Sequence, residues 1–304
     1  MILITPKINP DLDGVSCAYA LAKVLNASDP DNEYVAGIFG KPQSEVSFLL
    51  EKYNLKSGLT FNPVDPFEKF ILVDASDLKG MPEVIRSEDV VEVIDHRAVH
   101  NAFELFPNAK VQIEPVGAAA TLVLEKALAE NFFLDIGSLA LLYGAIYSNT
   151  LNLQLTIATD RDLEVVAYCR KQAREAISDS LIEEMFRHKT KDISENLAEV
   201  IASDFKGFVG GTGIAQLEGY DLEILINERL GEIKEILACQ KVKNALDRVF
   251  LTACDINRGY NIFVALEPET EMMLAKALNV SFDNNGVAKN DKLILRKQIL
   301  PLLG

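Results

Sequence analysis

Three short apolar runs end on acids, and this recurrence constrains the fold more than any other feature of the chain. Residues 1–4 lead into Thr5-Pro6-Lys7-Ile8-Asn9-Pro10-Asp11-Leu12-Asp13-Gly14, residues 70–73 into Asp74, and residues 90–94 into Asp95-His96-Arg97. Runs of this length bounded by turn residues read as buried strands. Residues 33–39 read as a further strand, and residues 15–25, 44–53, 117–130 and 136–150 carry helical spacing. Strands alternating with helices predict an α/β domain built on a parallel, doubly wound sheet. In such sheets ligands bind beyond the strands' C-terminal ends. Asp11, Asp13, Asp74, Asp95 and His96 are thus expected at one sheet edge.

The rest of the chain predicts a second, smaller unit. Residues 160–187 read as a long helical stretch, and the polar run His188-Lys189-Thr190-Lys191-Asp192 as a linker. This divides the chain into an N-terminal domain over 1–187, a linker over 188–192 and a C-terminal mixed α/β domain over 193–304. A cleft between the two domains is expected to hold the active site. In the second domain, strands are expected at 213–217, 248–255 and 260–265, with a helix at 227–238. Arg296 and Lys297 place two cations in the apolar segment 293–301.

Composition excludes several classes. A formal net charge of −15 argues against broad nucleic-acid binding, which needs Lys and Arg to neutralise phosphates. No apolar run approaches the roughly 18 residues of a membrane span. The start of the chain lacks a signal peptide's basic region, which predicts a cytoplasmic location. Cys17, Cys169, Cys239 and Cys254 show no CxxC spacing, so reduced thiols are expected rather than disulfides or a zinc site.

Any one of these acids alone is as well explained as a helix cap. Converging from three strand ends, they would repel one another without a cation. Oxygen donors with one imidazole suit Mn²⁺, Mg²⁺ or Co²⁺, as one ion or two. Such ions activate water and stabilise phosphoryl transfer. Neighbouring strand residues point to opposite faces, so Asp95, beside His96, is expected to orient the site rather than to ligate.

The order N-P-D-x-D, strand-D, D-H-x and S-x-T resembles the DHH phosphoesterase superfamily, and most of all the manganese-dependent family II inorganic pyrophosphatases. Glu114-Pro115-Val116-Gly117, Asp204-Phe205-Lys206-Gly207-Phe208 and Arg296-Lys297-Gln298-Ile299-Leu300-Pro301 extend the resemblance along the chain. It implies a two-metal hydrolase of pyrophosphate, acting as a homodimer. Asp11, Asp13, Asp74 and His96 match metal ligands, with Asp95 in the same catalytic group. Lys206, Arg296 and Lys297 match the cations that bind substrate, and Arg97 is placed with them. The chain departs from the pattern at three positions. Lys7 stands where the family has its first His, Arg97 replaces the second His of D-H-H, and Asn149 replaces the Asp of S-D-T. Lys7, whose ammonium cannot ligate a metal, is expected to neutralise Asp11 and Asp74 in place of one ion. Three function classes follow: a pyrophosphatase of reduced activity, a polyanion-binding or regulatory protein without catalysis, and an exopolyphosphatase or DHH phosphodiesterase.

Overall fold

The computed structural model describes residues 1–64, 66–97, 100–208 and 210–303. Two compact units divide the chain between Met185 and Phe186.

The first unit is a six-stranded parallel sheet with helices. Its elements are β1 (Ile2–Thr5), α1 (Leu12–Ser28), β2 (Tyr34–Ile38), α2 (Ser44–Lys52), β3 (Thr60–Phe61), β4 (Lys69–Val73), β5 (Val90–Asp95), α3 (Ala102–Leu105), β6 (Lys110–Ile113), α4 (Ala119–Ala129), α5 (Ile136–Asn149) and α6 (Asp160–Ala173). The strand order is β3-β2-β1-β4-β5-β6, with every pairing parallel. Leu3, Phe70, Leu72 and Val93 pack on one face with Ala102 and Phe106. Ile4, Ile71 and Ile94, of opposite parity along their strands, are also buried, so the central strands are covered on both sides. The order reverses between β1 and β4, which opens a crevice past their C-terminal ends.

Residues 188–192, expected as a linker, lie inside helix α7 (Asp179–Glu195). Their polarity is only partly that of a solvent face: Lys191 is exposed, but Lys189 pairs with Glu218 at 3.3 Å and Thr190 Oγ1 accepts from the Tyr220 N–H at 2.8 Å, while Leu181, Ile182, Met185, Phe186 and Ile193 form the helix's buried side. The long helix expected over 160–187 is interrupted instead at Arg174, which takes a left-handed backbone with φ 50° before a short 3-10 turn.

The second unit holds α8 (Leu197–Ser203), β7 (Lys206–Phe208), β8 (Thr212–Gly219), α9 (Leu222–Lys243), β9 (Arg248–Asp255), β10 (Tyr260–Ala265), α10 (Pro268–Leu278), β11 (Val287–Asn290) and α11 (Arg296–Ile299). Its mixed sheet has the order β11-β10-β9-β8-β7; β8 and β9 run parallel and the other pairs antiparallel. Two apolar clusters are buried in this unit, one including Leu217, Leu237 and Leu251 and the other Phe250, Phe263 and Ile299. The basic segment is tied down by the buried Asn261. Its amide donates to the Ile294 carbonyl at 2.7 Å and accepts from the Ile294 N–H at 2.9 Å, mimicking a strand partner. Among the described residues, no helix is long and apolar enough to cross a membrane.

Candidate functional site

The loop after β1 is tight because its residues leave no alternative. A Cβ at Gly14 would lie 2.5 Å from Pro6 Cβ, so only glycine lets α1 start this close to the strand. Asp11 caps α1, accepting from the Gly14 N–H at 3.0 Å. Asp13, in the first turn, is 1% exposed and turns inward. Its Oδ2 accepts from Ala119 N at 2.8 Å and its Oδ1 from Ala120 N at 2.8 Å, so it also serves the N-terminus of α4.

Asp74 follows β4 with φ 50°, a left-handed backbone that Asp tolerates better than most residues. Its N–H donates to the Ile94 carbonyl at 2.9 Å, so the turn begins where pairing with β5 ends. His96 follows β5. Its Nδ1 lies 3.0 Å from the Val116 carbonyl and donates to it, which leaves Nε2 to face the carboxylates. Nε2 lies 3.5 Å from Asp74 Oδ1 and 3.8 Å from Asp13 Oδ2. Asp13, Asp74 and His96 each offer one ligand atom, all within 4.8 Å of one another. A ring nitrogen and two carboxylate oxygens at that spacing fit a divalent ion such as Mn²⁺.

The electrostatics point the same way. Burial, then the charges of Asp74 and Asp13, pushes Asp11 up to about 8. Burial and Asp74 push Asp13 up to about 7, with His96 opposing. For His96, burial lowers the pKa, but the Asp74 hydrogen bond and the charges of Asp13 and Asp74 outweigh it and raise it to about 9. Without a cation the site therefore holds protons that the unfolded chain would release. All three folded-state values exceed their unfolded values of 3.8, 3.8 and 6.5. The stability these protons contribute is fully present below the unfolded pKa values and is lost as pH rises through the folded ones. Chelator-treated protein should accordingly lose melting temperature between about pH 4 and pH 9, and saturating Mn²⁺ should flatten that decline, as scanning calorimetry would show.

The remaining expected residues divide into two groups. Asp95 is fully buried and stands outside the three-donor cluster; its Oδ1 accepts from His96 N at 2.7 Å, and its Oδ2 lies 3.5 Å from Arg97 Nε. Arg97 also reaches the Asp74 carbonyl at 3.2 Å and Asp77 Oδ2 at 3.3 Å. Lys7 does not neutralise Asp11 and Asp74 as expected: its Nζ lies 3.0 Å from Asp77 Oδ1. Asp77 is a more exposed carboxylate three residues past Asp74, and pairing there spares the ammonium the desolvation of the buried cluster. Lys7 and Arg97 hold its carboxyl below the usual range, against burial. Asn149, expected to offer an oxygen, instead donates its Nδ2 to Asp13 Oδ2 at 2.9 Å, with His96 Nε2 3.4 Å away. A cation at Asp13 Oδ2 must displace that amide or turn its oxygen inward.

In the second unit Lys206 and Lys297 are exposed. Arg296 is 7% exposed, and its guanidinium is engaged with Asp204 Oδ1 at 2.8 Å, the Ile214 carbonyl at 3.2 Å and the Asp204 carbonyl. Asp77, the Val116 carbonyl and the α4 N–H groups are participants that sequence reasoning did not single out. Asp77 was within reach as a second acid three residues after Asp74. The backbone partners leave no mark in side-chain identity.

Residues 1–146 match the DHH family N-terminal domain, and residues 183–304 match the DHHA2 domain. The chain belongs to the DHH superfamily and carries both of these domains. It is 28% identical to the manganese-dependent inorganic pyrophosphatase of Bacillus subtilis (strain 168), over 99% of this chain and 97% of that protein. Its fold is shared with a Methanococcus jannaschii structure assigned to the family II inorganic pyrophosphatases, at TM-score 0.76 and 22% identity, covering 100% and 98% of the two chains. An exopolyphosphatase-related protein from Bacteroides fragilis is more distant, at TM-score 0.52 and 10% identity over 99% and 89%.

Proposed function

We propose that this chain is a divalent-metal hydrolase of phosphoric anhydrides, with pyrophosphate as substrate and Mn²⁺ as the preferred ion. One observation carries the proposal. Asp13, Asp74 and His96 converge at the switch point of a parallel sheet, in a family whose curated relative is a manganese-dependent pyrophosphatase. When bound, the ion supplies Lewis acidity toward a phosphoryl oxygen and toward water.

The protein's own groups do the rest. Asp13 and Asp74 give the negative charge that holds a cation, and Asp11, whose own pKa burial and then their charges raise, adds to it. His96 presents Nε2 because Val116 takes its other N–H. Arg97, fixed by Asp77 and the Asp74 carbonyl, offers a guanidinium to a phosphate at the rim. Lys206, Lys297 and Arg296 are assigned to the substrate's remaining charge, with Arg296 also bracing its segment through Asp204. Asp95 orients the His96 backbone rather than binding the ion. A cytoplasmic location agrees with four free cysteines. A homodimer through the first unit would cover the sheet edge left by β6.

A second proposal, a polyanion-binding protein without turnover, draws on Asn149. Its amide turns a donor, not a ligand, toward Asp13 and His96. Phosphate release separates the two. Pyrophosphate, tripolyphosphate and a dinucleotide are each incubated with Mn²⁺, Mg²⁺ or Co²⁺, beside an Asp74→Ala control. Mn²⁺-dependent release from pyrophosphate that vanishes in Asp74→Ala supports the hydrolase. Tight pyrophosphate binding with no release supports the second proposal, and release from tripolyphosphate or the dinucleotide alone would reassign the substrate.

A further inference from the structure

Asp162 lies in α6, away from the cation cluster, fully buried and with more hydrogen bonds than a helix start requires. With Thr159 it forms a capping box, accepting from the Thr159 N–H at 2.7 Å while its own N–H points to Thr159 Oγ1 at 3.4 Å. That pair alone would serve the helix. The carboxylate also accepts from Thr159 Oγ1 at 2.7 Å, and it reaches back along the chain to accept from Gly117 N at 2.8 Å and Thr121 Oγ1 at 2.6 Å.

Those last two donors bracket the peptide that holds two of the three cation-facing side chains. Val116, just before Gly117, gives the carbonyl that takes the His96 Nδ1–H. Ala119 and Ala120, just before Thr121, give the N–H groups that grip both oxygens of Asp13. The fit around Gly117 is close: a Cβ there would lie 2.7 Å from Thr150 Cγ2 and 2.9 Å from Asp162 Oδ2. Thr150 in turn follows Asn149, which donates to Asp13.

We infer that Asp162 is a positioning residue for the cation site: by clamping Gly117 and Thr121 it fixes the 116–121 segment and, through it, Asp13 and His96. This rests on the cation-binding reading proposed above and extends it to a residue that touches no ligand atom. Groups hydrogen-bonded to metal ligands typically change affinity about 10–100-fold when altered, because the ligands lose their preset geometry, and Asp162, one step further out, belongs at the low end of that range. An Asn at 162 keeps the shape but brings an NH₂ against groups that also donate.

The test separates positioning from simple helix support. Mn²⁺ affinity is measured by electron paramagnetic resonance on wild type and on Asp162→Asn, Thr121→Val and Thr159→Ala, with melting temperature recorded for each. Asp162→Asn should weaken Mn²⁺ binding by about 10-fold and Thr121→Val by several-fold, while Thr159→Ala, which removes the Thr159 Oγ1 bond but leaves Gly117 and Thr121 on the carboxylate, should melt lower yet bind within about twofold of wild type. If Asp162→Asn does not fold, Thr121→Val decides by itself. Mn²⁺ binding within about twofold of wild type in every folded clamp variant, whatever its melting temperature, overturns the inference. A wild type that binds no Mn²⁺ overturns the cation-site reading itself, a result distinct from normal binding in both wild type and variants.

Discussion

Asp13→Ala should abolish phosphate release and lower Mn²⁺ affinity by more than the 10–100-fold typical of residues one step from the metal. The same change should destabilise the fold, because Asp13 is not only a ligand. Its side chain takes the Ala119 and Ala120 N–H groups, both buried, and the part-buried Asn149 amide. Each orphaned buried donor costs roughly 1–3 kcal/mol, partly offset by relief of the repulsion from Asp74, for a net loss of about 3 kcal/mol. Melting temperature should then fall by about 6–12 °C. Asp74→Ala should lose activity to the same degree with a smaller stability cost, since Asp74 is more exposed and its side chain is not among those capping α4. Calorimetry beside a phosphate assay distinguishes the two variants; equal stability losses would show that the α4 cap contributes little.

Asn149→Asp should make the protein depend on its cation. The amide nitrogen now 2.9 Å from Asp13 Oδ2 would be replaced by a second carboxylate oxygen. At an effective dielectric of about 20, unit charges about 4 Å apart interact by about 4 kcal/mol, repulsive here without metal and attractive to a divalent ion. Metal-free Asn149→Asp should therefore melt well below wild type at pH 8, by about 8–16 °C. With Mn²⁺ saturating it should melt at or above wild type, and Mn²⁺ affinity should rise by about 100-fold or more. Calorimetric scans with chelator and with Mn²⁺ read both effects. A variant no more sensitive to chelator than wild type would mean that Asn149 lies outside the cation's reach.

What could be read from the chain was whatever depends on periodicity and strand-end position. The apolar runs before Asp11, Asp74 and Asp95 are strands because parallel sheets bury both faces, and the acids come at their C-terminal ends, Asp74 just past β4 and Asp95 as the last residue of β5. The convergence of Asp13, Asp74 and His96 followed from that placement. Strand β6, with half-exposed Val111, Gln112 and Ile113, lacks the apolar continuity that marked the others. The polar face of α7 looks like a linker to any reading that weighs composition over spacing. Lys7 is the most instructive miss. Its sequence position says only that it reaches the sheet edge, whereas the choice of Asp77 over Asp11 and Asp74 is a competition between Coulomb attraction and desolvation. Val116 acts through its carbonyl, and Asp162 through contacts more than forty residues away in sequence. Neither kind of partner has a local pattern to find.

Metal stoichiometry and turnover measured together bear on the whole scheme. Chelator-stripped protein would be titrated with Mn²⁺ at pH 8 while bound ion and phosphate released from pyrophosphate are followed in the same samples. The single three-donor group among the described residues predicts that activity rises with the first ion bound per chain and saturates with it. Phosphate release independent of Mn²⁺ occupancy, or a chain that fills with Mn²⁺ and releases nothing, would contradict a hydrolase built on Asp13, Asp74 and His96.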